Sequence, residues 1–405
     1  MNPRWLLAPS AVTNFHYNSN ASDATTSGVR EATNYQRFVL TRNVRVLTGI
    51  NHEKIVQRRN SKMEILDVDR FKIYHENSLT AVETFPSNSI DCVITSPPYW
   101  MMREYDIENN NKKFIIGTEK TPEEYVNNLA SLFHEIKRVL KPNGSLWLNI
   151  GDKLQNKNLM GLPWRVAIAL QKDGWILRND VIWNKMKGTQ SSKDRLRTTY
   201  EHIFHFVKSK KYFYDYKSIL IKSQKKPSIS NGRIISATGV SGKKYSKQIE
   251  QSKELTPKEK RDALNTLEET LLEMRDGKIV DFRMTIKGGQ RILHSNSKKI
   301  SGRAKELAEK GHYIIKISAE GFLPNDIWNI VPEDEWRTDD HCAVFPIELL
   351  ELPIKATCPL NGIVLDPFVG TGSTIAAALK LGRRGIGIDI SKKYVSIATK
   401  RAKQA

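Results

Sequence analysis

The chain has 405 residues, a length that suits one large domain with an insertion or two domains. Its 64 Lys and Arg against 44 Asp and Glu give a formal net charge of +20, which favours a polyanionic partner such as nucleic acid over an ordinary solvated basic surface. No apolar run could span a bilayer, the start lacks the apolar stretch of a signal peptide, and three scattered cysteines exclude a disulfide framework and a paired zinc site. We therefore expect a cytoplasmic protein without a metal centre or a membrane partner.

Residues 1–68 are predicted to form an N-terminal extension that is partly mobile. The stretch "NSNASDATTSG" within it is polar and weakly patterned, as in chains that bury little apolar surface. An arm that lies on a partner is the alternative to plain disorder, and the sequence leaves the role of this segment open.

Strands and helices alternate from residue 69 to residue 222. Strands are predicted over "FKIY", "SIDCVITS", "SLWLNIGD", "ILRNDVIWNK" and "YEHIFHFVKS", and helices over "TPEEYVNNLASLFHEIKRVLKPNG" and "GLPWRVAIALQKDG". In the first helix Thr121 is the predicted N-cap and Pro142 with Gly144 the predicted end. This alternation predicts an α/β fold with a doubly wound, mainly parallel sheet.

The alternation stops at residue 223 and returns at residue 323. The segment 223–322 is basic, rich in Ser and Gly at its start, and contains the charged helix "TPKEKRDALNTLEETLLEMRDG". Residues 185–322 carry about +16 of the formal charge. We expect an insertion that supplies most of the positive field, followed by a second part of the α/β domain over residues 323–405.

The stretch "VLDPFVGTGST" leaves a predicted strand and enters a predicted helix through Gly370 and Gly372. Glycines at such a turn let the backbone approach a ligand closely, and Asp389 ends the next strand, where an acid reaches ribose hydroxyls in doubly wound folds. Ile375 stands where a dinucleotide fingerprint has a third glycine, and there is no phosphate-binding "GxxxxGK[ST]" loop. A nucleoside cofactor without a pyrophosphate is predicted, and S-adenosylmethionine fits that description.

The stretch "TSPPYW" follows another apolar strand and ends it in a rigid corner, because proline fixes φ and lacks an N–H. Carboxyl ends of parallel strands share one edge of a sheet, so this corner is expected to face the glycine loop across one crevice. The hydroxyl of Ser96 and the carbonyl of Ser96 or Pro97 could accept hydrogen bonds from an amino group. The ring of Tyr99 could stack on a planar base.

These motifs resemble the S-adenosylmethionine-dependent DNA amino-methyltransferases, in the permuted β-type order with a Rossmann-like methyltransferase fold. The resemblance covers roughly residues 69–405 and rests on "TSPPYW" preceding "LDPFVGTGST", on "SLWLNIGD", on "DVIWNKMKGTQSSKDRLRTTYEHIFHFVKSKKYFYD" and on "HCAVFPIELLELPIKATCP". It implies that residues 223–322 form a target-recognition region. It also implies double-stranded DNA as the partner, with a restriction endonuclease acting on the same site as a further one; monomer and dimer stay open.

The resemblance assigns roles to single residues of this chain. It implies an amino-group site formed by Ser96, Pro97, Pro98 and Tyr99, and a cofactor site formed by Asp366, Phe368, Gly370, Gly372 and Asp389. Family members often have Gly-Asp where this chain has Glu76-Asn77, so Asn77 is a weaker match for the residue that reads the cofactor's adenine. They also often have proline where this chain has Met186.

Basic residues of the middle segment are the candidates for DNA contacts, with simple solvent exposure as the alternative. Phosphate contacts are favoured over base contacts for any one of them, namely Lys185, Arg195, Arg197, Arg283, Lys287 and Arg291. His341 is interpreted as a cap or packing residue rather than a base.

The Ser-Pro-Pro-Tyr form goes with cytosine N4 more often than with adenine N6, and this preference is part of the resemblance. Methylation at N6 of adenine, an RNA substrate and a DNA-binding protein without catalysis are the alternatives. Ring-carbon methylation of cytosine is rejected, since it needs a cysteine nucleophile and the only neighbouring pair here is Cys358-Pro359 in reverse order.

Overall fold

The computed structural model describes residues 69–102, 115–186, 193–224, 226–288, 302–332, 336 and 345–405. The predicted N-terminal extension, Arg291 and His341 lie outside the described residues. Among the helices described, none combines the length and the apolarity that crossing a bilayer requires.

The first part of the chain alternates strands and helices as predicted. Its elements are β1 (Phe71–His75), α1 (Ser78–Glu83), β2 (Ile90–Thr95), α2 (Pro122–Val139), β3 (Leu140–Ile150), β4 (Leu154–Gln155), β5 (Asn158–Leu159), α3 (Leu162–Lys172), β6 (Ile176–Asn184) and β7 (Tyr200–Val207).

Helix α2 begins as predicted and ends earlier than predicted. The Thr121 hydroxyl accepts a hydrogen bond from the Glu124 N–H, and Pro122 occupies the first turn. The helix stops at Val139, and Pro142 lies inside β3. A proline fits there because the pairing of β2 with β3 shifts register before Ser145, so the irregular start of the strand needs no continuous ladder.

The insertion and the last part of the chain contain the remaining elements. These are β8 (Ser228–Ser230), β9 (Arg233–Ile235), α4 (Gly242–Gln251), α5 (Pro257–Arg275), β10 (Ile279–Ile286), α6 (Arg303–Lys310), β11 (His312–Ser318), β12 (Ile327–Asn329), α7 (Ile347–Thr357), β13 (Ile363–Asp366), α8 (Ser373–Lys380), β14 (Arg384–Asp389) and α9 (Lys392–Gln404).

One eight-stranded sheet in the described residues has the order β1-β14-β13-β2-β3-β7-β6-β12. The first five strands in this order are parallel to their neighbours, β7 is antiparallel to both β3 and β6, and β12 is parallel to β6. The predicted doubly wound, mainly parallel α/β sheet is therefore confirmed. Because β7 alone runs the other way, its amino end meets the carboxyl ends of all the other strands at one edge.

Apolar residues on the two faces of this sheet pack against different helices. Val93, Leu146 and Leu148 belong to the core under α1, α2 and α3. Cys92, Ile94 and Trp147 point the other way and pack with residues of α7 and α8. This alternation along β2 and β3 buries both faces, as a parallel sheet requires.

The insertion has an apolar cluster of its own, made of residues from α4, α5 and the antiparallel pair of β10 and β11. Helix α5 begins with a capping box, in which the Thr256 hydroxyl accepts from the Glu259 N–H and the Glu259 carboxylate accepts from the Thr256 N–H. The chain enters and leaves this region at one point, because Ile221 and Phe322 form an antiparallel bridge. The bounds of the insertion at residues 223 and 322 stay a prediction.

Candidate active site

The corner "TSPPYW" and the glycine loop lie side by side at the edge where the parallel strands end. Strands β2 and β13 are neighbours, with Val93 opposite Leu365. The end of β2 therefore lies beside Asp366: the Thr95 hydroxyl donates a hydrogen bond to Asp366 Oδ1 at 2.7 Å, and Ser96 follows Thr95. The structure brings together the two motifs that the sequence placed about 270 residues apart.

Asp366 joins the two motifs through its buried carboxylate. Oδ1 also accepts from the Phe368 N–H at 3.0 Å, and Oδ2 accepts from the Thr374 hydroxyl at 2.6 Å. Burial raises the pKa of Asp366 to about 6, against the opposing effect of these donors. Asp366 as a residue is 4% exposed, and these hydrogen bonds fix the shape of the loop that follows it.

The two glycines of the loop have conformations that other residues rarely adopt. Gly370 has φ of 50° and Gly372 has φ of 84°. A Cβ at Gly372 would lie 2.8 Å from the Cα of Ala398 in α9, so a side chain there would strike the backbone. Phe368, on the same loop, packs partly buried against the core of α1, α2 and α3.

Asp389 ends β14, on the far side of β13 from the corner. Its Oδ2 accepts from the Gly370 N–H at 3.0 Å and its Oδ1 from the Ser391 N–H at 2.8 Å. Burial raises the pKa of Asp389 to about 6. Asp389 as a residue is half-buried, and a glycine turn with an acid at the next strand end forms a cradle that fits the ribose of a nucleoside.

Asn77 follows β1 by two residues, and the last residue of that strand, His75, is opposite Asp389. Its Oδ1 accepts from the Leu79 N–H at 3.0 Å and caps α1. An amide oxygen has two lone pairs, so a contact with the cofactor's adenine would share the atom with this cap.

Hydrogen bonds from neighbouring elements hold the proline corner in place. The Tyr125 hydroxyl of α2 donates to the Pro98 carbonyl at 3.0 Å, and the Trp100 indole donates to the Glu119 carbonyl at 2.8 Å. Gly151 lets the Tyr99 ring pack closely, because a Cβ there would lie 2.7 Å from Tyr99 Cε2. Ser96, Pro97, Pro98 and Tyr99 are thus held as one fixed wall at this edge of the sheet.

Two residues that the sequence reasoning missed complete this wall. Asn149 of β3 donates through Nδ2 to Ser96 Oγ at 3.2 Å and to Tyr99 Oη at 2.9 Å. Glu201 of β7 accepts from the Tyr99 hydroxyl at 2.7 Å and from Asn149 Nδ2 at 2.9 Å. The polar Asn149 within the apolar run "LWLNI" was the available signal, whereas the position of Glu201 depends on the antiparallel β7.

Lys185 follows β6 and lies at the same edge, where its ammonium group pairs with Glu201 Oε1. The structure places this lysine beside Glu201 and so beside the proline corner, and the DNA contact expected of it stays a prediction. The pKa of Tyr99 is raised well above its usual range, first by burial and then by the negative charge of Glu201. The phenol therefore stays protonated and donates to the carboxylate.

The remaining candidates for DNA contacts within the described residues are exposed or half-buried. Arg195 and Arg197 are exposed just before β7 begins, at the edge that carries the site. Arg283 is exposed on β10 of the insertion, and Lys287 follows that strand half-buried.

Met186 follows Lys185 and has φ of 60°. Proline could not take this position in the same conformation, because its ring fixes φ near −65°. Met186 therefore has a backbone conformation that a proline at this position could not adopt.

The two described cysteines are unsuited to nucleophilic catalysis. Cys92 and Cys358 are both fully buried. Burial raises the pKa of Cys92 to about 12 and that of Cys358 further still. A thiolate is the form that attacks a ring carbon, so these residues agree with the rejection of ring-carbon methylation.

Comparison with known proteins identifies the family. Residues 90–400 match the DNA methylase family. The chain belongs to this family. It is 30% identical to the type II methyltransferase M.SfiI of Streptomyces fimbriatus over 385 residues, covering 80% of this chain and 89% of that protein. It is 29% identical to the type II methyltransferase M.SmaI of Serratia marcescens over 360 residues, covering 82% and 90%.

Solved structures give weaker likenesses. The cytosine-N4-specific PvuII DNA methyltransferase has a TM-score of 0.47 at 18% identity, covering 82% of this chain and 86% of that one. M1.HpyAVI in complex with SAM has a TM-score of 0.42 at 16% identity, covering 82% and 98%. The family assignment rests on the sequence matches. It makes the protein a DNA methyltransferase and agrees with S-adenosylmethionine as the cofactor.

Proposed function

We propose that this protein transfers a methyl group from S-adenosylmethionine to the N4 amino group of a flipped cytosine within a short site of double-stranded DNA. The observation that carries the choice of base is the neutral Ser96 at the head of the corner. A serine hydroxyl accepts a proton less readily than the aspartate found at this position in the Asp-Pro-Pro-Tyr form. The relatives act as type II methyltransferases, which supports a role as the modification enzyme beside a restriction endonuclease of the same specificity.

The cofactor would lie on the loop of Phe368, Gly370 and Gly372, with its ribose at Asp389. When bound, S-adenosylmethionine supplies a methyl group on a sulfonium. The chain's own contribution is to position the acceptor: the hydroxyl of Ser96 and a carbonyl of the corner accept hydrogen bonds from the amine, and the ring of Tyr99 stacks on the base. The exocyclic amine of cytosine is a poor nucleophile because its lone pair is conjugated with the ring, so this orientation toward the methyl group is what the site must provide.

A cytosine in a duplex must leave the stack before it can enter this cleft. Flipping costs a few kcal/mol, which stacking and hydrogen bonds in the pocket partly offset. Positive charge on the insertion would hold the duplex through its phosphates.

The test is an assay of the product. The protein is incubated with methyl-labelled S-adenosylmethionine and mixed-sequence duplex DNA, and the DNA is digested to nucleosides. We expect label in N4-methylcytosine. Label only in N6-methyladenine would reject cytosine as the target base, but it would still agree with methyl transfer to an amino group. Parallel incubations with duplex RNA test the remaining substrate.

A DNA-binding protein that has kept the fold without catalysis is the candidate from another class, and the basic middle segment favours it. The Tyr99→Ala variant separates the two. We expect it to lose methyl transfer while it binds DNA with unchanged salt dependence. Absence of turnover in both the wild type and the variant would favour the binding protein.

A further inference from the structure

Four polar side chains form one hydrogen-bonded group beside the corner: Ser96, Tyr99, Asn149 and Glu201, with Lys185 paired to Glu201. They come from the loop after β2, from β3, from β7 and from the end of β6. Glu201 has no place in the mechanism above, although its carboxylate is buried at the centre of the group.

The direction of the hydrogen bonds follows from what each group can donate. An ionised carboxylate only accepts, so the single hydrogen of the Tyr99 hydroxyl points to Glu201 Oε2, 2.7 Å away. Tyr99 Oη then has only lone pairs to offer to its other neighbours. It accepts from Asn149 Nδ2 at 2.9 Å and faces Ser96 Oγ at 3.4 Å.

The orientation of Ser96 follows from that of Tyr99. Because Tyr99 has no second hydrogen, the Ser96 hydroxyl hydrogen is the one that can lie between the two oxygens. Ser96 Oγ lies 3.2 Å from Asn149 Nδ2, whose two hydrogens are shared among this oxygen, Tyr99 Oη and Glu201 Oε2, and it accepts at most one bond from that amide. One lone pair of Ser96 therefore remains for a donor in the cleft, and an amino group is such a donor.

We propose that Glu201 is a positioning residue that makes Ser96 a hydrogen-bond acceptor toward the substrate amine. This inference rests on the proposed function and deepens it. With a group in place of Glu201 that can donate, the Tyr99 hydrogen could turn to Ser96, and the Ser96 hydrogen could turn into the cleft. The amine would then meet a donor, and its own hydrogens would lose the partner that orients the lone pair.

Lys185 has a defined part in this arrangement. Its ammonium group pairs with Glu201 Oε1, whereas Tyr99 donates to Oε2, and the lysine side chain is 27% exposed. An ammonium group can only donate, so Lys185 occupies Oε1 and leaves Oε2 to accept from Tyr99. Lys185 thereby keeps the direction of the chain of hydrogen bonds fixed.

The test is a double-mutant cycle on the rate of methyl transfer in a single turnover, with DNA and cofactor saturating. The four proteins are the wild type, Glu201→Gln, Tyr99→Phe and the double variant. We expect Glu201→Gln alone to slow transfer at least tenfold, with dissociation constants for DNA and for S-adenosylmethionine within twofold of the wild type. In the Tyr99→Phe background the chain is already broken, so Glu201→Gln should change the rate less than twofold.

A role of Glu201 in stability alone would give the same loss in both backgrounds, and that result would overturn the inference. The matched control is Asp180→Asn. Asp180 lies on β6, the neighbour of β7, and pairs with His202 of β7, so its replacement should leave the rate within twofold. If Glu201→Gln fails to fold, Lys185→Gln replaces it, with the same dependence on Tyr99 expected. Absence of any transfer by the wild type would instead reject the proposed function itself.

Discussion

Asp366 shows how much a single buried side chain contributes to this site. It accepts hydrogen bonds from Thr95, just before the proline corner, and from Thr374, just after the glycine loop. These bonds fix the position of the corner relative to the loop. The sequence predicted that Asp366 touches the cofactor. The structure adds the protein donors that bind its carboxylate, which the spacing of residues along a chain does not reveal, and the contact with the cofactor stays a prediction.

The raised pKa of Asp366 predicts a pH dependence of stability. Between its ordinary value of 3.8 and the folded value of about 6, the folded protein holds a proton that the unfolded chain has lost. The contribution of Asp366 to stability therefore rises as the pH falls through about 6. From pH 7.5 to pH 5 we expect the wild type to gain about 1 kcal/mol relative to Asp366→Asn, measured by urea unfolding. An equal difference between the two proteins at both pH values would contradict the raised pKa.

The backbone at position 372 requires glycine, because its φ is positive and a Cβ would lie 2.8 Å from the Cα of Ala398. We expect Gly372→Ala to destabilise the protein by about 1–3 kcal/mol and to weaken binding of S-adenosylmethionine, because the new Cβ meets the backbone of α9 in a strained conformation. Gly382→Ala is the matched control: its φ is also positive, at 72°, but its Cβ has its nearest contact at 3.8 Å. Thermal unfolding and cofactor titration measure both effects. Equal losses in the two variants would mean that strain alone, without the clash, is responsible.

Among the elements, the insertion is held by its own apolar cluster, in which Phe282 of β10 is fully buried. If residues 223–322 form a separate target-recognition unit, as proposed, removing a large side chain from this cluster should destabilise the insertion alone. We expect Phe282→Ala to cost about 3–5 kcal/mol of local stability and to weaken DNA binding, while S-adenosylmethionine binding is retained. Phe206→Ala, in the core under the sheet, should impair both. Loss of cofactor binding in Phe282→Ala would reject the separate unit.

Periodicity and turn residues were enough to predict most strands and helices, because the burial of one helix face and of both sheet faces leaves a strong pattern. They predicted the start of α2 through Thr121 and Pro122 but missed its end, since Pro142 was tolerated in a strand with irregular pairing. The sequence also predicted that the corner and the glycine loop lie close together, because carboxyl ends of parallel strands share one edge of the sheet. The sequence did not predict the position of Glu201 in the site, because that position depends on which strand runs antiparallel.

For the whole molecule, the formal charge of +20 predicts DNA binding that weakens steeply with salt. Arg283 is exposed on the insertion and is the clearest single candidate for a phosphate contact. We expect Arg283→Gln to lower affinity similarly for all duplex sequences and to reduce the slope of log K against log salt by about 1. A loss confined to one DNA sequence would instead make Arg283 a base contact. An unchanged slope would leave it outside the interface.

The central claim is that the cofactor and the target amine meet in one cleft between the glycine loop and the proline corner. Irradiation of the protein with methyl-labelled S-adenosylmethionine, followed by mapping of the labelled peptides, tests it most directly. We predict label on the peptides that contain residues 366–372 or 96–99, and its loss when an excess of unlabelled cofactor competes. Competable label confined to the insertion would contradict the account.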